Sequence, residues 1–187
     1  MSEKQVDLAG YYNNGMSWSE FMEGARENVE RMRRFYDDFE FDEDTTAFFN
    51  GRTPLQVLAI VEDWCPDVAA NVAMLAKIAD EVPGMELSLV RRDENAELMD
   101  AYLSEGRRRL PTIIFMDMTF RELARWSGRP KSADAWILGE VVKKRRWDEM
   151  SEQELAAFNE EYDRRFREGY AREALAEWQM LLEDEEF

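Results

Sequence analysis

The chain has 187 residues, 45% of them hydrophobic, and a net charge of −17. That is enough apolar material for one sizeable core, and the acidity argues against partners rich in phosphate, whether nucleic acid or anionic membrane. Histidine is absent and cysteine occurs once, at Cys65, which removes Cys-His and Ser-His-Asp chemistry, internal disulfides and any ordinary zinc site.

In chain order, Tyr11 to Gly15 reads as a polar-aromatic lead-in loop. Ser17 and Glu20 form a capping box that opens one amphipathic helix carrying Phe21, Met22, Ala25, Val29, Met32, Phe35 and Tyr36. Phe39 to Asn50 predicts a short acidic helix stopped at Gly51. Leu55 to Val61 is a nearly continuous apolar run, the pattern of a strand buried on both faces. Cys65 and Pro66 follow, then a helix marked by Val68, Val72, Leu75, Ala76, Ala79 and Val82. Proline suits the first helical turn, which puts the Cys65 sulfur at a helix start, where free amides and the dipole favour a thiolate. Glu62, Asp63 and Asp67 oppose that effect.

Pro83-Gly84 ends this helix. Met85 to Val90 predicts a second parallel strand, and Asp93 a cap for a helix through Leu98 and Leu103 that ends near Gly106. Pro111 to Met118 is another apolar strand, with a hairpin partner through Ala124 and Trp126. Ser132 can cap a helix carrying Ala135, Trp136, Leu138 and Val141. A second capping box, Ser151 to Glu154, opens a helix bearing Leu155, Phe158, Tyr162, Phe166 and Tyr170. Gly169 is a candidate break before Leu175, Trp178, Leu181 and Leu182. From Asp148 to Phe187 there are 14 acids against 4 arginines, ordinarily a solvated face. The long aromatic stripe on the same segment must be buried, either on the domain or against a second copy of the chain in a homodimer.

Trp64-Cys65-Pro66-Asp67-Val68 resembles the Trp-Cys-x-x-Cys turn of the thioredoxin superfamily, preceded by the expected core strand. Leu110-Pro111-Thr112-Ile113-Ile114-Phe115 resembles its cis-proline loop. The resemblance covers roughly 55–146 and implies an α/β, thioredoxin-like fold: a central mixed sheet flanked by helices. A helical extension over 1–54 and an acidic helical extension over 147–187 are added to it. It also implies Cys65 as the catalytic residue, with Trp64, Pro66, Asp67, Leu110 and Pro111 binding substrate, and requires no metal or cofactor. The departures are specific. Val68 stands at the resolving-cysteine position, Pro66-Asp67 between the two positions, and Ala59 where a buried proton-shuttling aspartate is kept. A dithiol mechanism is therefore excluded.

Two function classes remain. In one, a monothiol oxidoreductase attacks a disulfide-bearing protein or a low-molecular-weight thiol's disulfide through Cys65, and an external thiol resolves the adduct. In the other, an inactive thioredoxin fold serves as a binding module. The retained Trp-Cys turn favours the first. Arg91-Arg92 and Arg107-Arg108-Arg109 offer the site a basic rim, unless they neutralise neighbouring acids. No apolar run reaches the ~20 residues of a membrane span, and the N-terminus lacks a hydrophobic signal core. A reducing cytoplasm is the expected setting.

Overall fold

The computed structural model of the chain describes residues 6–139 and 149–183. Its centre is β1 (Leu55–Val61), every residue of which is buried. Within a four-stranded sheet of order β2-β1-β3-β4, it pairs in parallel with β2 (Met85–Arg91) and antiparallel with β3 (Thr112–Met116). β4 (Glu122–Ser127) completes the sheet against β3. An apolar run of this kind suits a central strand because both of its faces are covered.

Among the described residues, four short helices precede the sheet: α1 (Leu8–Asn13), α2 (Trp18–Gly24), α3 (Val29–Asp38) and α4 (Glu43–Asn50). Of the expected lead-in loop, Tyr11 to Asn13 belong instead to α1, capped by the Asp7 carboxylate on the Gly10 amide at 2.9 Å, and only Asn14 and Gly15 lie beyond the helix. The single helix expected from Ser17 to Tyr36 is two. The capping box at Ser17 and Glu20 forms as read, but the chain turns over Ala25 to Asn28. The cause is remote in sequence. The Asp63 carboxylate accepts from the Arg26 amide at 2.7 Å, and the Asn28 side chain donates to the Asp63 carbonyl at 2.8 Å. Asn28 there adopts φ 53°, a left-handed conformation asparagine tolerates better than most residues. Ahead of α2, Met16 bridges Leu89 with bonds of 2.7 and 2.8 Å and so occupies part of the β2 edge.

After β1 comes α5 (Pro66–Glu81), then β2 and α6 (Ala96–Ala101). α6 starts after Asn95 rather than Asp93 and stops well before Gly106. The Asp93 amide is spent on Glu62 at 2.9 Å, and a Ser104–Arg107 bridge shapes the approach to β3. α7 (Lys131–Ile137) begins directly after Pro130, so Ser132 lies inside it. Its first amides are capped from elsewhere: Lys131 N–H donates to Glu177 at 3.0 Å and Ser132 N–H to Glu173 at 2.9 Å. Val141, also expected on this helix, lies outside the described residues.

The C-terminal segment forms α8 (Glu152–Arg165) behind its capping box, a π-helical turn (Phe166–Tyr170) and α9 (Ala171–Glu183). Where Gly169 suggested a break, the helix only widens by one residue per turn. Its aromatic stripe is buried against the chain's own core. Trp178 is fully buried, 5.6 Å from Trp126 edge-on and 6.3 Å from Phe115, and Phe166 packs on Phe35 at 5.1 Å. Tyr162, Phe166, Tyr170 and Trp178 of the stripe are thus buried within the chain. No helix among the described residues is long and apolar enough to cross a membrane.

Candidate functional site

β1 ends at Val61, and the chain makes a tight turn (Cys65 N–H to the Glu62 carbonyl, 3.2 Å) before entering α5. Cys65 is the N-cap residue in an extended conformation, and Pro66 occupies the first turn, as the sequence predicts. Cys65 is 6% exposed. Its sulfur lies 3.8 Å from the carbonyl oxygen of Leu110, to which the thiol donates. The Leu110–Pro111 peptide is cis, as expected of that loop. Leu110, whose carbonyl meets the thiol, and Pro111 are both buried.

The open side of the thiol is a cavity of about 260 Å³ lined by Trp64, Cys65, Pro66 and Asp67, and across from them by Arg129, Ile137, Phe158 and Tyr162. Trp64 forms the outer lip at 40% exposure, with the Arg92 guanidinium 4.8 Å above its ring. Four of the six residues singled out from the sequence therefore share this cavity. The other four lining residues were not foreseen as site residues. The signal for Arg129 was indirect: a buried aspartate at a helix start needs a cation, and Arg129 follows the Gly128 turn at the end of β4. Phe158 and Tyr162 showed only as part of an apolar stripe.

Asp67 is buried beneath this cavity and doubly held. Arg129 lies 2.8 Å from one carboxylate oxygen, and the Tyr162 hydroxyl donates to the other at 2.7 Å. Even so, burial pushes its carboxyl above the usual range, outweighing the pull of Arg129 and Tyr162. Tyr162 is pushed well above an ordinary phenol by burial and by the Asp67 charge.

The competing influences on Cys65 resolve upward. Burial and then the Asp67 carboxylate push the thiol from about 9 up to about 11, although the Val68 and Asp67 amides and Arg129 pull the other way. Glu62 and Asp63, expected to act on the sulfur as well, are engaged elsewhere. Glu62 holds the Asp93 amide and Arg91, and Asp63 holds the turn after α2.

The basic rim is likewise largely spent. Arg91 pairs with Glu62 at 3.4 Å and Asp63 at 3.7 Å, and Arg92 with Asp93 at 2.7 Å. Arg108 pairs with Asp100 at 2.7 Å and Arg109 with Asp134 at 2.5 Å. Neutralisation of nearby acids accounts for these four arginines. Among the described residues, no group of three or more acidic or cysteine side chains is placed to hold a metal ion.

Comparison with known proteins bears on the whole of this architecture. A family model described as thioredoxin matches residues 15–161, beyond both ends of the 55–146 core anticipated from sequence. Among solved structures, a crystal structure of a Pseudomonas aeruginosa protein of unknown function superposes with a TM-score of 0.68 at 19% identity, covering 96% of this chain and 98% of that one. An HIV epitope-scaffold superposes with a TM-score of 0.70 at 17% identity, over 97% of this chain and 100% of its own. At these identities the likeness is one of fold. No curated protein matches the chain significantly.

Proposed function

Since this chain belongs to the thioredoxin family, we propose that it keeps the family's fold and active-site turn but works as a binding module, with Cys65 held as a protonated, sheltered thiol. One observation carries this reading: Cys65 is 6% exposed, with a buried carboxylate in the same turn and two aromatic residues of α8 across its cavity. With a thiol near 11, about 1 molecule in 10⁴ is thiolate at pH 7, against a few per cent for a free cysteine. That is poor preparation for nucleophilic turnover. The partner would be met at the cavity mouth, where Trp64 is the exposed aromatic.

A second reading is favoured by the placement of Cys65 at the α5 start, beside both the Leu110 carbonyl and a cavity. In it, the chain is a monothiol thiol-disulfide oxidoreductase of a reducing cytoplasm. The Cys65 thiolate attacks one sulfur of a disulfide, on a protein or a small molecule, forming a mixed disulfide and releasing the other sulfur as a thiolate. An external thiol then attacks the adduct, leaving with the substrate sulfur in a new disulfide and restoring Cys65.

Incubation of the native protein with a small aromatic disulfide at pH 7, followed by mass spectrometry and then by added thiol, decides between them. The binding-module reading expects no adduct over the time in which the urea-unfolded chain is fully modified. Rapid formation of a 1:1 adduct that added thiol reverses would overturn it in favour of the oxidoreductase.

A further inference from the structure

We propose that α8 is an autoinhibitory cover over the Cys65 cavity, latched at two consecutive residues: Tyr162 onto Asp67 and Asp163 onto Arg31. This regulation rests on the reading above only in taking the Cys65 cavity as the functional site.

The way α8 is held supports it. Tyr162 and Asp163 are the only residues of this 14-residue helix that are buried. Both anchors carry a polar latch, and the Tyr162 ring is fully buried as well. The Tyr162 hydroxyl reaches Asp67 at the N-terminus of α5, while Asp163 accepts from Arg31 of α3, whose Nε lies 2.7 Å away. The Arg31 guanidinium also sits 5.7 Å from the centre of the Tyr162 ring, tying the two latches together. α8 meets α7 through Phe158 stacked on Trp136 at 5.0 Å, both partly buried, and through Tyr162 at 6.5 Å from the same Trp136 ring. The Tyr162 ring also packs on Phe166 and Tyr170, but no other side chain of α8 is set into the apolar core, and a helix anchored at so few points opens at lower cost than one buried along its length.

The boundary of the moving part is also visible. Immediately after α8 the helix passes through the π-helical turn at Phe166–Tyr170, where its regular hydrogen-bond ladder is interrupted. Beyond it α9 is fixed by fully buried Ala174, Trp178 and Leu182. The helix can therefore swing about this turn while α9 stays docked. Its departure would remove Phe158 and Tyr162 from the cavity wall, and Asp67 would lose the hydroxyl that holds it.

The test measures iodoacetamide labelling of Cys65 in the full chain, with hydrogen exchange of α8, for the wild type, Tyr162→Phe and Asp163→Asn. Phe49→Leu on α4 serves as a control that weakens the fold without touching the latch. Both latch variants should label at least 10-fold faster than the wild type at zero denaturant. Exchange should rise over 152–165 and not over α9, and the labelling rate should depend only weakly on urea, as expected for local opening. The control should gain labelling only in proportion to its lost global stability. Tyr162→Phe and Asp163→Asn proteins that label at the wild-type rate, or whose labelling follows global unfolding as the control's does, would overturn the cover. That result would leave the choice between binding and exchange to the adduct experiment, which uses the wild type alone.

Discussion

The burial of the Cys65 thiol has a consequence for stability that can be measured without any knowledge of partner or substrate. In the unfolded chain the thiol ionises near 9, and in the folded protein near 11. Between those values the unfolded chain has released a proton that the folded chain retains. Unfolding then becomes more favourable as pH rises, by about 1.4 kcal/mol per pH unit. The contribution of Cys65 is fully present below pH 9 and is lost as pH climbs towards 11, for a total of ~3 kcal/mol. Between pH 8 and pH 10.5 the expected loss is ~2 kcal/mol, because the folded-state thiol has then only begun to ionise.

Tyrosines act in the same direction. Burial and the Asp80 hydrogen bond push Tyr36 up to about 12, and Tyr12 and Tyr102 are raised as well. The wild type must therefore be compared with Cys65→Ala, which keeps these phenols and removes the thiol. Its small cavity costs a fixed amount at every pH. Urea unfolding at pH 8, 9, 10 and 10.5 gives the difference in stability between the two proteins. That difference should shrink by ~2 kcal/mol across the range. A difference constant to within ~0.5 kcal/mol would mean that the folded thiol titrates like a free one, and that the shelter assigned to it does not exist.

Two substitutions probe the packing that positions the site. Arg31→Ala leaves the buried Asp163 carboxylate with the more exposed Arg34, 3.9 Å away, and should cost up to ~3–5 kcal/mol in urea unfolding, with partial recovery when Asp163→Ala is added. Gly15→Ala would bring a methyl group within 2.1 Å of the Ser88 hydroxyl and 3.0 Å of the Leu89 carbonyl. Since Ser88 is held by its 2.7 Å bond to the Tyr12 carbonyl, the expected cost is ~1–3 kcal/mol, with faster hydrogen exchange at Met16 and Leu89.

What the sequence discloses, and what it conceals, follows the range of the interactions concerned. The continuous apolar run at Leu55–Val61, the proline behind Cys65 and the capping boxes at Ser17 and Ser151 are local patterns, and each gives the strand or the helix start expected of it. The break between α2 and α3 is imposed by Asp63, and the start of α7 is capped by Glu173 and Glu177. Neither pairing has a local signature. The same limit applies to the site. Helix-start amides and neighbouring acids near Cys65 can be read from adjacent letters, but Tyr162 lies 95 positions from the Asp67 it contacts.

Loss of the second sulfur and sheltering of the first form a coherent pair. With Val68 at the fourth position of the turn, a mixed disulfide on Cys65 has no internal route of release. An exposed, low-pKa thiolate there would collect adducts or pass to higher oxidation states, since both follow thiolate character and access. Raising the thiol to about 11 and walling its cavity with α8 reduces both hazards together. Asp67 links the two effects. Its charge opposes the thiolate directly, while its carboxylate gives Tyr162 the acceptor that holds α8 in place. Arg129 partly offsets the first effect, yet it also fixes the carboxylate for the second, and through Asp134 it extends the pairing to Arg109 beside Leu110. A charge that merely suppressed the thiol would not need to be gripped from both sides. One that also carries a latch does.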